Sequence, residues 1–458
     1  MKSAIKNIHA LEILDSRGYP TVKVHVVLKE GAHGSACAPS GASTGKREKH
    51  ERRDGEESRY SGRGVQSAVS LIRSQVHQQF VGRDASDQAL IDHELQYFHG
   101  NNADPGLGSN VTAAVSMAVA RAAAAAAGLP LYRYLGGPCA RRLPVPMMNV
   151  LNGGKHADNA LDFQEFMIVP LGAPTFAEAM RYGAETFHAL RTLLAEQGFS
   201  TAVGDEGGFA PNLESNEEAC VLIQAAIKRA GYEPGRDISI ALDPAASSFW
   251  RDGRYRLGRN PAKIMNAEML AEEYKRLVAD YPIVSIEDGF AEDDWDAFAA
   301  QTKHIGGDVQ IVGDDLYVTD ADTIRQGADR SATNAVLIKI NQIGTVTQAV
   351  DAIDVCRQRG LAFVISHRSG ETEDTFIADF AVAMGGGQIK TGSLSRSERL
   401  AKYNRLLEIE QELGKGAQFY FLSPQRPILP PQVKRDLHTK PERTAPVHGR
   451  AHDRDNLS

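Results

Sequence analysis

Residues 309–339 read VQIVGDDLYVTDADTIRQGADRSATNAVLIK, and they contain a repeat from which the architecture follows. Two short apolar segments, VQIV and AVLI, are each followed by a charged residue, Asp314 and Lys339. These residues are 25 positions apart (314 to 339), about the length of one strand, one helix and two loops. The stretch therefore predicts one unit of a repeating pattern of strands and helices.

The same pattern extends on both sides of this stretch. Apolar segments lead to a charged or polar residue at ISIALD (Asp243), IVSIED (Glu287), LAFVIS (His367) and QIK (Lys390). Continuous apolar, β-branched segments are typical of parallel strands that are covered on both faces. Parallel barrels carry their chemistry at the C-terminal ends of the strands. One buried charge could be a structural ion pair, but six strand ends in register predict a barrel with an active site.

The bulk composition excludes several classes of protein. The chain has 458 residues, of which 42% are hydrophobic and 24% charged, so it can bury a large core. A net charge of −7 and a pI near 6.1 argue against nucleic-acid binding. The four cysteines are far apart and indicate neither a disulfide framework nor a zinc site. With no signal-peptide core and no apolar window of membrane length, we expect a soluble, cytoplasmic protein.

Three regions of the chain differ in their pattern. Residues 1–135 begin with alternating strands and continue with helical patterns at about 65–98 and 110–127, which predicts a small α+β domain. Residues 136–423 contain the predicted barrel. Residues 424–458 are rich in proline and charge, and we expect much of this tail to be extended or disordered.

Three carboxylates mark consecutive strand ends. Asp243, Glu287 and Asp314 offer hard oxygen ligands without a neighbouring histidine or cysteine, which favours Mg2+ over zinc. Lys339 follows on the next strand, and a metal and a second cation, Lys390, should lower its pKa as a general base requires. Two lysines at neighbouring strand ends could equally well bind an anion passively.

Three further candidate residues lie in loops. Glu206 is in the glycine-rich GDEGGFAPN, Glu165 precedes an apolar strand in FQEFMIVP, and His156 is in NGGKHADN. Loop carboxylates are usually only solvated. A lysine base on one side of a site and a carboxylic acid on the other would, however, supply the two proton transfers of a dehydration.

Eleven short motifs connect the chain to a known family. Each is weak alone, but they occur in the family's order, and from about Ile5 to about Tyr420 the chain resembles the enolases. The motifs are DSRGYPTV, PSGASTGKREKHERRDG, LGSNVTAAVS, NGGKHADN, FQEFMIVP, GDEGGFAPN, SIEDGF, GDDL, IKINQIGT, SHRSGET and IKTGS.

The resemblance implies a fold, a reaction and partners. The fold is an enolase-type (β/α)8 barrel preceded by a smaller α+β N-terminal domain. The reaction is the interconversion of 2-phosphoglycerate and phosphoenolpyruvate, a lyase reaction of glycolysis with two Mg2+ per active site. The partner is a small phosphorylated three-carbon acid, with neither nucleic acid nor membrane, and the protein is expected to be a homo-oligomer, a dimer or an octamer.

The resemblance also implies a role for each candidate residue. Lys339 would take the C2 proton, and Glu206, assisted by Glu165, would protonate the departing C3 hydroxyl. Lys390 would stabilise the charge that develops, together with the metal ions. The expected ligands of the first Mg2+ are Asp243, Glu287 and Asp314, and Ser43 would join the second when its loop closes. The residues expected to contact substrate are His156, His367, Arg368, Ser369 and, again, Lys390.

The loop at GASTG, residues 41–45, differs from the family pattern in the basic residues that follow it. These are Lys46, Arg47, Lys49, His50 and Arg52. We call this loop and the basic residues that follow it the lid. Added positive charge on the lid would favour a more anionic substrate, so a relative that forms an enolpyruvate such as carboxyphosphonoenolpyruvate is a second hypothesis. A non-catalytic binding or scaffold role is the third. Loss of Lys339, Glu206 or a metal carboxylate would mark it, and all are present.

Overall fold

The first element of the structure is a three-stranded antiparallel sheet. The structure, a computed structural model, describes residues 2–42, 45–98, 106–258 and 263–419, and beyond them only the backbone of two short strands. The sheet has the order β1 (Ile5–Leu14), β2 (Pro20–Leu28), β3 (His33–Cys37). The β1–β2 turn closes because Asp15 Oδ1 accepts hydrogen bonds from the backbone of Arg17 (2.8 Å) and Tyr19 (3.0 Å). Both predicted strands are confirmed, whereas β3 was not predicted.

Five helices follow this sheet: α1 (Gln66–Leu71), α2 (His77–Phe80), α3 (Gln88–Gln96), α4 (Ser109–Ala126) and α5 (Leu131–Gly136). A π-helical turn, Ile72–Val76, joins α1 to α2. The helical pattern predicted over 65–98 is interrupted at 81–87, where Gly82 has a φ of +89° that no right-handed helix contains. The alanine-rich α4 is confirmed and lies very close to β3, because a Cβ on Gly34 would fall 2.3 Å from the Ala122 backbone nitrogen.

Eight strands then close into a barrel in the order β5, β6, β7, β11, β12, β13, β14, β15. Strands β8 to β10 form a small separate sheet, β16 pairs with β4, and β17 pairs with β18. In chain order these elements are β4 (Arg142–Leu143), β5 (Val145–Asn152), β6 (Glu165–Val169), α6 (Phe176–Glu196), α7 (Asn216–Arg229), β7 (Ser239–Asp243), β8 (Trp250–Arg251), β9 (Arg254–Leu257), β10 (Lys263–Met265), α8 (Ala267–Asp280), β11 (Ile283–Glu287), α9 (Trp295–Ile305), β12 (Gln310–Gly313), α10 (Ala321–Asp329), β13 (Ala335–Ile338), α11 (Ile340–Ile343), α12 (Val346–Arg359), β14 (Ala362–Ser366), α13 (Phe376–Ala383), β15 (Gln388–Lys390), α14 (Ser397–Leu413), β16 (Gln418–Phe419), β17 (Phe421–Leu422) and β18 (Pro427–Ile428).

One strand departs from the predicted all-parallel barrel. β6 runs antiparallel to both of its neighbours, β5 and β7. Residues 153–164, which join β5 to β6, contain only one short helical turn, Gly154–His156, whereas a parallel crossover usually runs through a full helix. Both α6 and α7 instead follow β6, so the order is two strands, two helices and then six strand-helix units. The start of β6 therefore lies at the same end of the barrel as the C-terminal ends of the other strands.

Side-chain caps begin five of the barrel helices. Each capping side chain accepts a hydrogen bond from a backbone N–H in the first turn, which satisfies a donor that the helix itself cannot pair. The caps are Thr175 on α6, Ser215 on α7, Asn266 on α8, Asp320 on α10 and Thr345 on α12. In the part of the chain that the structure describes, no helix combines the length and apolarity needed to cross a bilayer.

The two parts of the molecule are in direct contact. Helix α5, at the end of the N-terminal part, packs against α13 of the barrel, and α4 packs against α11 and α12. The first barrel strand begins at Val145, close to the predicted boundary at 135/136. The predicted tail, residues 424–458, lies outside the described residues except for the backbone of β18.

Candidate active site

The predicted strand-end residues lie together at one end of the barrel. Asp243, Glu287 and Lys390 are the last residues of β7, β11 and β15, and Asp314 and Lys339 directly follow β12 and β13. At most 13% of any of these five side chains is exposed. Charged groups buried to this extent need partners, and they find them in one another.

Lys390 lies at the centre of this group. Its Nζ is 2.8 Å from Asp243 Oδ2, 2.8 Å from Glu287 Oε1 and 3.1 Å from Glu165 Oε1. Burial alone would lower the pKa of the Lys390 ammonium, but the three carboxylates outweigh it and raise that pKa well above its ordinary value. Lys390 is therefore a fixed positive charge.

Lys339 has a different partner. Its Nζ donates to Asp314 Oδ2, while Gln342 Nε2 donates to Asp314 Oδ1 at 2.9 Å. We expected neighbouring cations to lower the pKa of Lys339. In the structure burial acts in that direction, but the Asp314 carboxylate more than offsets it, and the pKa of Lys339 is raised. The expectation also counted a bound metal ion beside Lys339, so the lowered pKa stays a prediction for the metal-bound site.

Glu165 reaches the same group because of the reversed strand. It is the first residue of β6, and its Cα is paired with Asn152 on β5 and Asp243 on β7. Had β6 run parallel to its neighbours, its first residue would lie at the opposite end of the barrel, far from Lys390. The antiparallel strand thus adds a fourth carboxylate to Asp243, Glu287 and Asp314.

A second carboxylate faces Glu165 across two imidazoles. Glu206, in the loop before α7, is 3% exposed, and its Oε2 accepts from Asn149 Nδ2 at 3.2 Å. His156 stands between the two carboxylates, with Nδ1 3.8 Å from Glu165 Oε1 and Nε2 3.8 Å from Glu206 Oε1. His367 Nε2 lies 3.3 Å from Glu206 Oε2. Both imidazoles, predicted to line the site, are buried in it.

The two carboxyls differ in their affinity for a proton. Burial and the nearby Glu206 raise the pKa of Glu165 well above its usual value. Burial would do the same to Glu206, but the imidazoles of His367 and His156 face it and hold its pKa well below the usual value. Like charges this close do not ionise together readily, and of the two carboxyls Glu165 binds a proton more readily.

Arg368 and Ser369 lie where the lid meets the barrel. The Arg368 guanidinium forms a two-pronged contact with Glu48, through Nη1 to Oε1 (2.5 Å) and Nη2 to Oε2 (3.2 Å). Ser369 Oγ accepts from the Ala42 backbone N–H at 2.6 Å. Both partners belong to the segment around GASTG. Ser43, predicted to join a metal from this segment, lies outside the described residues.

The basic lid residues point to the barrel loops. Lys46 pairs with Asp293, Arg47 donates to the Glu292 and Leu316 backbone oxygens at 3.1 and 3.0 Å, and Lys49 Nζ donates to Gln348 at 3.1 Å. The guanidinium of Arg47 also lies 5.7 Å from the centre of the Trp295 ring. These three side chains attach the lid to the barrel, so their charge does not favour a more anionic substrate.

A small cavity lies between the lid and the strand ends. Its walls include twelve candidate or neighbouring polar residues and one glycine, and it offers about 20 Å³ to the centres of water molecules. That is room for about one water molecule. A three-carbon acid can enter only if the lid or the side chains move. The lining residues are Gly41, His156, Gln164, Glu165, Glu206, Asp243, Asp314, Lys339, Ser366, His367, Arg368, Ser369 and Lys390.

The donor set fits a hard divalent cation. Five carboxylates, of Glu165, Glu206, Asp243, Glu287 and Asp314, face two lysines, and Glu287 Oε2 and Glu165 Oε2 are buried without a hydrogen-bond partner. Within the described residues, the acidic or histidine groups whose donor atoms lie within 4.8 Å of one another are His156-Glu165-Glu206 and Asp288-Asp314-Asp315. The predicted trio is not one of these groups; Asp243 and Glu287 contact Lys390, and Asp314 contacts Lys339.

Several residues that support the site were not predicted. Asn149 and Gln342 donate to Glu206 and Asp314, Glu48 pairs with Arg368, and Arg399 contacts His367. Asn149 interrupts an apolar segment and Gln342 follows one. A polar residue in such a position could have been recognised from the sequence as a candidate. Glu48 and Arg399 lie among other charged residues in the sequence, and no pattern distinguishes them.

A barrel mouth that combines buried carboxylates with two lysines defines an acid-base enzyme built on a TIM-type barrel. Comparison with known families makes this specific. A family described as "Enolase, N-terminal domain" matches residues 5–135, and one described as "Enolase, C-terminal TIM barrel domain" matches residues 140–426. The chain belongs to the enolase family and is an enolase-type lyase.

Two curated relatives support the same assignment. Enolase 1 of Methylococcus capsulatus is 58% identical over 419 residues, which cover 92% of this chain and 100% of the relative. The enolase of Acidothermus cellulolyticus is 55% identical over 417 residues, covering 91% of this chain and 96% of the relative.

Proposed function

We propose that this enzyme interconverts 2-phosphoglycerate and phosphoenolpyruvate. The observation that carries the proposal is the arrangement around one cavity, with Lys339 on one wall and the Glu165–Glu206 pair on another. Dehydration of a 2-phospho-3-hydroxy acid needs a base at C2 and an acid at the C3 oxygen, and these walls offer one of each.

Lys339 is the proposed base. The charges of Asp314, Arg368 and Lys390 act on its ammonium group. Lys339 contacts fewer carboxylates than Lys390 does. In its neutral form its Nζ accepts the C2 proton of 2-phosphoglycerate. Lys390, which three carboxylates keep protonated, provides positive charge for the carboxylate that becomes more negative when C2 loses its proton.

The proposed acid is Glu206, assisted by Glu165. Of the two buried carboxyls, Glu165 has the raised pKa and would be the first to take up a proton. Transfer of that proton to the C3 hydroxyl oxygen, through Glu206, releases water and leaves phosphoenolpyruvate. His156, within 3.8 Å of both carboxyls, is placed to orient them.

The proposed cofactor is Mg2+, two ions per site, held by Asp243, Glu287 and Asp314 and, for the second ion, by Ser43. When bound, Mg2+ would neutralise negative charge on the substrate carboxylate and on Asp314, and both effects favour loss of the C2 proton. We propose that Arg368 and Ser369 bind the phosphate, since a guanidinium forms paired hydrogen bonds with phosphate oxygens. His367 lines the same pocket.

The pathway, the location, the oligomeric state and the domain bounds are also proposals. We propose a glycolytic role in the cytoplasm, a homo-oligomer, either a dimer or an octamer, and domains that span 1–135 and 136–423 with a tail from 424 to 458. Two separate family models, which match residues 5–135 and 140–426, support the division into two domains. Of the five lid bases on which the phosphonate alternative rests, Lys46, Arg47 and Lys49 pair with the barrel.

The proposal is tested by following phosphoenolpyruvate formation from 2-phosphoglycerate by ultraviolet absorbance, with Mg2+ and after chelation. We expect activity with Mg2+ and its loss with chelator. Lys339→Ala should be inactive, whereas Lys275→Ala, which changes a lysine that is 62% exposed on α8, should retain activity. An enzyme that ignores 2-phosphoglycerate with Mg2+ present would refute the proposal, and phosphonate analogues would then be tried.

A further inference from the structure

Arg399 is the largest fully buried side chain among the described residues, and the proposed mechanism does not use it. It lies in the first turn of α14 and does not line the substrate cavity. Its Nη1 donates to His367 Nδ1 and to the Arg368 backbone oxygen, both at 2.7 Å. Its Nη2 donates to the backbone oxygens of Ser369 (2.5 Å) and Asp205 (3.1 Å). One guanidinium thus holds both loops that carry Glu206 and His367.

The contact with His367 restricts the state of that imidazole. A guanidinium has only donors, so the nitrogen that it faces must offer a lone pair. Nδ1 of His367 is then the acceptor, and a neutral ring carries its proton on Nε2. That nitrogen faces Glu206 Oε2 at 3.3 Å. The ring can therefore offer Glu206 a donor.

Burial is the largest influence on His367. It lowers the pKa of that imidazole, Glu206 acts to raise it, and the cations Arg399 and Lys390 act to lower it, with a result of about 3. Without Arg399, Nδ1 would be open to a second proton, and the protonated imidazole would form an ion pair with Glu206. The acid proton would then reside on the imidazole and no longer on the carboxyl pair.

We propose that Arg399 is a positioning residue that holds His367 as the neutral Nε2–H tautomer, so that an N–H faces Glu206, 3.3 Å away and without a completed hydrogen bond, and His367 cannot take the acid proton. The catalytic consequence rests on the proposed function, because it assumes that Glu206 is the acid. The assignment of the tautomer does not depend on the proposed function. Arg399 also bonds to the backbone oxygens of Arg368 and Ser369. The same side chain therefore positions the proposed phosphate-binding residues and the loop of the proposed acid, Glu206.

Nitrogen-15 NMR of histidine-labelled protein tests the tautomer directly. The chain has 14 histidines, so the signals of His367 are assigned by their absence from His367→Gln. Between pH 5 and pH 8 we expect an Nε2–H pattern that does not titrate. An Nδ1–H pattern, or a titration in that range, would overturn the proposal whether or not the protein acts on 2-phosphoglycerate.

Variants of Arg399 test the cause. In Arg399→Met we expect the pKa of His367 to rise, short of the ordinary value of about 6.5 because the ring stays buried, and kcat to fall at lower pH with KM changed less than about threefold. Arg399→Lys, which keeps a cationic donor, should restore part of the flat pH profile. The matched control is Arg405→Met, which removes a half-buried arginine of the same helix that pairs with Asp379 instead. An unchanged His367 signal in Arg399→Met would contradict the proposal, and if that variant does not fold, the wild-type spectrum still decides.

Discussion

The two lysines at the barrel mouth differ in the number of carboxylates that they contact. Lys390 has three within 3.1 Å, whereas Lys339 has Asp314 as its direct partner. A lysine among three carboxylates releases its proton only at great cost, because three favourable charge interactions would be lost. This difference supports Lys339 as the base and Lys390 as a permanent charge, a choice that was open from the sequence.

Substitutions of single residues should separate the two proton transfers. Lys339→Ala should lower exchange of the C2 proton of 2-phosphoglycerate by about a thousandfold, because the base is gone. Glu206→Gln should block dehydration to a similar extent but retain exchange, because the base remains. Deuterium uptake at C2, followed by proton NMR beside phosphoenolpyruvate formation, measures both.

The matched control for this pair is Glu185→Gln, which changes a carboxylate on the exposed face of α6. It should leave both rates unchanged. Equal loss of exchange in Lys339→Ala and Glu206→Gln would contradict the division of roles.

At the scale of elements, the lid is held closed by contacts with several barrel loops. Lys46, Arg47 and Lys49 bind residues after β11, after β12 and on α12, and Glu48 pairs with Arg368 after β14. The Glu48–Arg368 pair is buried, with 5% and 3% of the side chains exposed. The Glu48 carboxylate therefore binds the Arg368 guanidinium, which is the group that we propose to bind the substrate phosphate.

Glu48→Gln should strengthen the binding of inorganic phosphate. A phosphate at Arg368 meets the like charge of Glu48, and removing about 1 kcal/mol of repulsion corresponds to about fivefold in affinity. Isothermal titration calorimetry measures the change. Glu51→Gln is the control, because Glu51 lies in the same segment but pairs with Arg53. Weaker phosphate binding in Glu48→Gln than in the control would show that Glu48 helps to form the phosphate site.

At the scale of the whole molecule, a polar contact joins the N-terminal helices to the barrel. Asp92 on α3 is fully buried, and its Oδ2 accepts from the Thr347 backbone N–H (2.9 Å) and hydroxyl (2.6 Å) at the start of α12. Ser116 Oγ on α4 accepts from Val346 N at 3.0 Å. The N-terminal part thus caps a helix of the barrel.

Asp92→Ala should lower the free energy of unfolding by about 1 kcal/mol, because it leaves the half-buried donors of Thr347 without that acceptor. The shift of the urea denaturation midpoint measures this change. Asp87→Ala is the control, since Asp87 is an exposed residue next to the same helix and its side chain does not cap it. Similar midpoints for the two variants would mean that the contact adds no stability.

Much of the architecture follows from local patterns. The strand pairs β1–β2 and β11 to β15, and the charged residues at their ends, could be predicted because a buried parallel strand leaves a continuous apolar segment followed by a polar end. The reversal of β6 could not. Its apolar segment, EFMIV, has the same strand pattern in either direction, and only the folded chain shows that residues 153–164 form a return loop without a crossover helix.

The identity of the candidate residues, their hard-oxygen chemistry and their order along the chain are properties of the sequence, since each depends on side-chain type and spacing. The partners of those residues depend on the folded chain. Arg399 and His367 are 32 residues apart, Lys390 and Asp243 are 147 apart, and Glu48 and Arg368 are 320 apart. Protonation states depend on distance and burial, and only the folded chain brings these groups together.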